Sequence, residues 1–347
     1  MASSSSFSSN VKGLCLRLAL LFVLSVARSL SFSNPASFSK ERNSRRQGHS
    51  PLRSSPTQNP SDDDNSVAMS LRRRLLGGAK SYGPVIMSNS EIVVELLAQS
   101  GYDHMVIDHE HSPVGIEGGQ RLLQAMDAAS AFLPKSSRRA EPIVRLPGYD
   151  PDYMKKVLDS MRLPAGVLVP MVEDAEIAKQ VVQSTRYPTQ QRQQLSGSFH
   201  DNDVGGIRGC AVPFIRASGW GRNPNYLEQC REDLLVMVQV ETPQGIDAIP
   251  DIAAIDGIDA IFLGPFDLSC SVGKMGDFQD SEVQTLIQEA ERAVRESPCM
   301  LAGFRPSNRS LEEMFEAGYS LVSGSIDLGL LREAARQDVE AARIVMR

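Results

Sequence analysis

The chain is poor in the residue types that announce the commoner kinds of site. Its five cysteines, at 15, 210, 230, 270 and 299, are odd in number and form no C-x-x-C pair. This excludes a disulfide framework and a zinc knuckle and leaves buried free thiols in a reducing compartment as the expectation. Histidine is as scarce, with five residues at 49, 104, 109, 111 and 200. No G-x-G-x-x-G follows the first apolar β-rich run, which argues against dinucleotide binding. Basic charge is scarce beyond the N-terminus. Residues 1–61 hold eight Lys/Arg and only Glu41 as an acid, a balance of +7, so a net charge of −6 leaves −13 for the remainder. An acidic body excludes nucleic acid as the expected partner. The one long hydrophobic run, LCLRLALLFVLSVARS, is short for a bilayer and carries Arg17 inside it, so no membrane association is expected of the mature body.

What is present divides at about residue 66. The N-terminal part strings together a Ser-rich basic start, MASSSSFSSNVKG, the apolar run, and a Ser/Arg-rich stretch nearly free of acids, SFSNPASFSKERNSRRQGHS. A signal-like and a transit-like segment in series resemble the bipartite presequence of algae with secondary plastids, with PASF near the junction. Residues 1–66 are therefore expected to be a targeting presequence and linker. The expected destination is the plastid, with the mitochondrion as alternative and the secretory route third.

From 67 to 347 short β-rich runs alternate with helical patterns. The runs lie near 81–88, 104–108, 142–146, 166–172, 234–242, 260–265, 300–304 and 320–326. Helices are expected at 90–100, 150–161 (with Pro151 in its first turn), 174–184, 281–295 and 310–317. Eight strands alternating with helices predict an α/β fold, a closed (β/α)8 TIM barrel, with an open doubly wound sheet as the alternative. The Gln-rich stretch at about 189–206, TQQRQQLSGSFHDNDVGG, reads as a polar insertion.

In a barrel enzyme the chemistry sits at the C-terminal strand ends. There the chain places Asp108-His109-Glu110-His111 after run two, Arg145 after run three, Gln239-Val240-Glu241 after run five and Gly264-Pro265-Phe266-Asp267 after run six. His109 and His111 form the H-x-H that opens two-metal hydrolase sites, but His49 and His200 lie in the leader and the insertion, so further ligands are lacking. Glu241 and Asp267 could instead hold a hard cation, or be helix caps and first-turn acids. Arg145 could snorkel at the rim or serve as a fork for a carboxylate or a developing oxyanion. His111 could be a satisfied strand-end histidine or a general base oriented by Asp108. Spacing alone leaves these pairs open.

Several blocks in order, among them GYDHMVIDHEHSP, PIVRLPGYDP, KKVLDS, ASGWGRNPNYL, MVQVET, IFLGPFDLS and VSGSIDLGLL, resemble the HpcH/HpaI aldolase family, from about Ser70 to Leu331. The resemblance implies a phosphoenolpyruvate/pyruvate-type barrel, usually a hexamer that exchanges its last helix between subunits. The implied activity is class II, metal-dependent retro-aldol cleavage of a 4-hydroxy-2-oxo acid to pyruvate (or a close analogue) and an aldehyde. By position, Glu241 and Asp267 resemble the carboxylates that hold a divalent cation, with Mg2+, Mn2+ and Co2+ not distinguished. Arg145 resembles the arginine that stabilises the enolate, and His111 the base. Asp108 and Asp159 resemble the acids that orient that base, Asp159 from a neighbouring subunit. Gln239, Phe266, Arg145 and Asp267 resemble substrate contacts. The chain departs from the pattern in the bulk of Phe266, in the longer link LDSMRLPAGVLVP and in the 189–206 insertion. A citrate-lyase-like or malyl-CoA-lyase-like CoA-ester lyase and a non-catalytic barrel are the alternatives.

Overall fold

A computed structural model describes residues 69–134, 136–188 and 205–346; the expected leader and nearly all of the expected insertion lie outside the described residues. Eight parallel strands close into a barrel in sequence order, with β8 returning to β1. They are β1 (Ser81–Ile86), β2 (His104–Asp108), β3 (Glu141–Arg145), β4 (Ala165–Val169), β5 (Leu234–Val240), β6 (Ala260–Leu263), β7 (Met300–Phe304) and β8 (Tyr319–Ile326). The closed barrel, rather than the open sheet, is thus the architecture.

Helices α1 (Leu71–Leu76), α2 (Glu91–Ala98), α3 (Ile116–Ala129), α4 (Pro151–Ser160), α5 (Ala175–Thr185), α6 (Tyr226–Glu232), α7 (Pro243–Asp247), α8 (Ile249–Ala253), α9 (Pro265–Ser271), α10 (Ser281–Arg295), α11 (Leu311–Glu316) and α12 (Asp327–Val345) follow in chain order. Their starts are chemically marked. Ser90, Asp150, Asp174 and Asp280 cap α2, α4, α5 and α10, each accepting a first-turn N–H. Ser310 and Glu313 form a reciprocal capping box on α11. None of the described helices is long and apolar enough to cross a membrane. The four cysteines within the described residues are free, but of them only Cys299 is buried as expected; Cys230 and Cys270 are half-buried and Cys210 is exposed.

Strand alternation divides the apolar residues into two cores. One face of each strand meets the helices through Met105, Ile107, Val144, Val167, Val236 and Val238. The other fills the barrel with Val85, Val106, Ile143, Leu168, Leu235, Met237, Phe262, Ala302 and Leu321, and Leu71 and Leu75 of α1 join that inner cluster. Counting two residues onward from these inward positions leads to Asp108 from Val106, Arg145 from Ile143, Gln239 and then Glu241 from Met237, and Gly264 from Phe262. The period of two that buries the barrel core therefore also selects the residues of its C-terminal layer.

Candidate active site

Asp108 and Arg145 end neighbouring strands and are register partners. Arg145 is 5% exposed, so it does not snorkel at the rim. Its Nε and Nη2 each donate to one oxygen of the fully buried Asp108 at 2.9 Å, a two-pronged pair. The same carboxylate accepts the backbone N–H groups of Glu110 and His111 at 3.0 and 3.3 Å, which folds the chain sharply beyond β2. Arg145 Nη1 also stands 2.9 Å from Glu110 Oε2 as an ion pair. Its guanidinium lies 5.1 Å from the centre of the Phe304 ring.

The two histidines of the DHEH run separate completely. His109 is 6% exposed, and its Nδ1 is 2.9 Å from the Tyr153 hydroxyl of α4. Burial pushes its pKa down to about 4, so it is a neutral packing residue. His111 points into the open cavity with its side chain 54% exposed, and its Nε2 lies 3.6 Å from Glu110 Oε2. Asp108 thus positions His111 through the backbone, while Glu110 is the carboxylate that faces the imidazole.

Glu241 follows β5 and is 2% exposed. It accepts the Gln239 amide on one oxygen and the Met171 backbone N–H, at 2.9 Å, on the other. Met171 presents that N–H from a left-handed backbone, φ 55°, a strained conformation for a residue with a side chain. Gly264 leaves room opposite: a Cβ there would stand 2.5 Å from Glu241 Oε2. Gln239 is fully buried beneath this carboxylate, and its own Oε1 has no hydrogen-bond partner.

Asp267 lies in the first turn of α9, whose N-cap is Gly264. The cap ahead of α7 is Thr242 rather than Glu241. Neither acid caps a helix. Asp267 makes no hydrogen bond or ion pair among the described residues. Its charge nevertheless acts on both neighbouring acids. Burial first, and then Asp267 and Glu110, push the Glu241 carboxyl up to about 7, with Gln239 and the Met171 N–H opposing. Burial raises Glu110 to about 7 as well, against Arg145 and with Asp108 and Asp267.

A cavity of about 730 Å³ opens above these groups, lined by His111, Arg145, Gly264, Phe266, Asp267 and Phe304, among others. Phe266 is 55% exposed at its mouth and packs edge-on to Phe278, ring centres 6.2 Å apart. Asp159 is not among the lining residues. On α4 of this chain it accepts from Arg208 Nη2 at 2.7 Å, and Arg208 also donates to Tyr226 at 2.9 Å.

Among the described residues no three His, Cys, Asp or Glu side chains form a group placed to hold a metal ion. The donor chemistry nonetheless fits a hard cation. Two carboxylates, Glu241 and Asp267, stand close enough for the charge of Asp267 to raise the Glu241 pKa, the kind of oxygen-donor pair a hard cation would take. Two protein ligands would leave the remaining coordination positions to water and substrate, as an open catalytic site requires.

A closed barrel whose C-terminal mouth gathers carboxylates around one arginine defines a (β/α)8 enzyme of small molecules. The comparisons make the class specific: the HpcH/HpaI aldolase/citrate lyase family model matches residues 85–334, and the chain belongs to that family. It is 33% identical over 267 residues to a 4-hydroxy-2-oxo-heptane-1,7-dioate aldolase of Escherichia coli, covering 77% of this chain and 92% of the relative. It is 33% identical over 264 residues to a hydroxypyruvate/pyruvate aldolase of Chromohalobacter salexigens, covering 76% and 94%. The crystal structure of a family protein from Burkholderia cenocepacia J2315 superposes with a TM-score of 0.69 at 31% identity, covering 79% of this chain and 98% of that one. The chain is an aldolase-type lyase, and the reading of it as a non-catalytic barrel falls.

Proposed function

We propose that the enzyme is a divalent-cation-dependent aldolase that cleaves a 4-hydroxy-2-oxo acid into pyruvate, or a close analogue, and an aldehyde. The observation that carries this reading is that Asp267, His111 and the fixed guanidinium of Arg145 line one open cavity, with the Glu241 and Glu110 carboxyls near enough to feel the charge of Asp267. Glu241 and Asp267 would hold the cation, which, when bound, supplies Lewis-acid polarisation of the 2-oxo group and offsets the repulsion between its ligands.

The chain's own groups account for the remainder. Arg145 is locked by Asp108 and presents fixed positive charge where the 2-oxo oxygen gains negative charge as the C3–C4 bond breaks. The electron pair of that bond stays on C3, and protonation of C3 then gives pyruvate. His111, the exposed group of the set, takes the proton of the 4-hydroxyl as the aldehyde forms. Gln239 holds Glu241 from below, and Phe266 narrows the mouth. Helix α12 exposes Leu328, Leu330, Leu331, Val339, Ile344 and Val345, which supports the homo-oligomer with an exchanged last helix that the resemblance implies. In that assembly Asp159 of a neighbour would complete the site. The leader makes the plastid the proposed destination.

The test is pyruvate release from 4-hydroxy-2-oxo acids by the protein lacking residues 1–66. Chelation is expected to abolish it and Mg2+ or Mn2+ to restore it. Chelator-resistant cleavage, or turnover of CoA thioesters instead, overturns the reading.

A further inference from the structure

Arg208 is a cation that the chemistry at the cavity floor does not use, and it is 3% exposed. It follows the stretch expected as an insertion, and its backbone is anchored to the end of α5. The Ile207 N–H donates to the Gln183 carbonyl at 2.9 Å, and the Arg208 N–H to the Arg186 carbonyl at 3.0 Å. The guanidinium lies 4.6 Å from the centre of the Tyr187 ring. From there Nη2 donates to Asp159 Oδ1 at 2.7 Å and to the Tyr226 hydroxyl at 2.9 Å, and Nη1 stands 3.9 Å from Cys230 Sγ. Burial raises the pKa of Tyr187, Tyr226 and Cys230, which are therefore neutral. Asp159 is the one carboxylate paired with Arg208 among the described residues.

Apolar residues often replace a buried ion pair without loss of stability, so this pair needs another reason. Its effect is to fix one carboxylate in place. The backbone works to the same end. The Asp159 carbonyl accepts the Ala217 N–H at 3.0 Å, and the Ser160 carbonyl accepts Arg216 Nη1 at 2.7 Å. Both ties fall where the long link LDSMRLPAGVLVP leaves α4. The second oxygen of Asp159 has no partner among the described residues, and the side chain is 24% exposed. Asp159 does not line the cavity of its own chain, and the His111 there lacks such a group. Asp108 meets only the His111 backbone N–H, and Glu110 Oε2, at 3.6 Å from Nε2, is beyond a hydrogen bond.

We propose that Arg208 is the positioning residue for a carboxylate that one subunit lends to another: it holds Asp159 by Oδ1 so that Oδ2 is presented outward, to accept a hydrogen bond from the partner subunit's His111. Arg208 touches neither the substrate nor the imidazole. It acts through Asp159, on the site of another chain. The proposal rests on the aldolase reading above and on its shared site.

The experiment pairs variants by co-expression and follows cleavage of a 4-hydroxy-2-oxo acid by the metal-loaded mixed oligomers. His111→Ala and Asp159→Asn are each expected to be nearly inactive alone. Together they should recover about a quarter of the wild-type rate, the share of sites that draw an intact residue from each of two chains assembled at random. Arg208→Met alone is expected to lower kcat by roughly 10- to 100-fold with KM within about twofold, the scale of a misplaced group in proton transfer. Arg208→Lys, which keeps the buried charge, is expected to recover part of that loss, and it takes the place of the methionine variant in both pairs if that chain does not assemble. Paired with His111→Ala, the Arg208 variant should recover as Asp159→Asn does. Paired with Asp159→Asn it should not, because both lesions strike the same lent carboxylate. Recovery with Asp159→Asn, recovery with neither mate, or an unchanged kcat overturns the role of Arg208 alone. Failure of the His111→Ala and Asp159→Asn pair to recover overturns the shared site and Arg208 with it. A wild type that cleaves no 4-hydroxy-2-oxo acid overturns the aldolase reading beneath both.

Discussion

At the N-terminal end of the barrel, buried charge meets its opposite; at the C-terminal end, like charges are gathered. Below, Arg72 donates to both oxygens of Asp259 at 2.9 Å, and Asp259 also accepts the Val236 N–H at 2.9 Å. Arg74 stands more loosely, 3.5 Å from Glu141 and 3.8 Å from Asp103. Above, Asp108 and Glu110 share Arg145, while Glu241 and Asp267 have no ion-pair partner among the described residues. Folding alone does not favour the upper arrangement, because buried carboxylates without partners destabilise. A ligand that brings positive charge makes sense of it. The contrast teaches that in this barrel the unneutralised layer, rather than the most buried or the most charged one, marks the site.

The contrast can be broken in four places, from the largest expected effect to the smallest. Arg145→Ala removes the cation that Asp108 and Glu110 share and leaves Asp108 buried and unpaired. Aldol cleavage should fall by about 10³-fold or more, and stability by roughly 3–5 kcal/mol, read by steady-state kinetics and denaturant melts. Glu241→Gln should separate function from stability. Cation binding, followed by calorimetry, and activity should drop by roughly 10²-fold. The metal-free variant should meanwhile melt no lower than wild type, because a repelled carboxylate is gone. A clear loss of metal-free stability would show that Glu241 is structural. Arg72→Met acts on the lower layer. It should cost about 1–3 kcal/mol by leaving Asp259 without its cation, and leave kcat/KM within roughly twofold.

The smallest effect is a pH dependence. Glu110 has its pKa raised from 4.5 to about 7, by burial first and then by Asp108 and Asp267 against Arg145. Between those values the folded protein keeps a proton that the unfolded chain has released. The stability tied to that proton is therefore complete below pH 4.5 and is lost as pH rises through 7. His109, lowered to about 4, acts with the opposite sign: its contribution is present above 6.5 and is lost as pH falls through 4. Subtracting the melting profile of metal-free Glu110→Gln from that of wild type isolates the glutamate. The difference should slope downward by about 1 kcal/mol between pH 5 and 7.5.

Much of this was legible before any coordinates. Each of the eight strands lies where a β-rich run was expected, because fully buried parallel strands write themselves as apolar runs. Asp108, Arg145, Glu241 and Gly264 could be read because strand alternation continues two residues past the apolar layer. Helix α3 was not legible. Gly118 and Gly119 interrupt its pattern with residues that weaken a helix, and the reason for Gly119 is a contact distant in sequence. Helix α1, LRRRLL, is too short to show a period. The part played by Glu110 was hidden because whether it faces Arg145 or solvent depends on the turn that Asp108 imposes through two backbone N–H groups. Asp159 read as a site residue, yet in this chain it meets Arg208, a partner contributed from beyond the insertion.

The packing of His109 has a consequence for how this sequence can vary. A Cβ on Gly119 would lie 2.4 Å from His109 Nε2, so the imidazole would have to shift to admit a side chain there. Positions 109 and 119 therefore form a linked pair, in which bulk gained by one must be surrendered by the other. A side chain gained at 119 alone would displace the His109 imidazole from Tyr153, next to the turn that carries Glu110 and His111. Joint substitution at 109 and 119 across natural relatives would then be a record of the site's geometry, written by two residues that never touch a substrate.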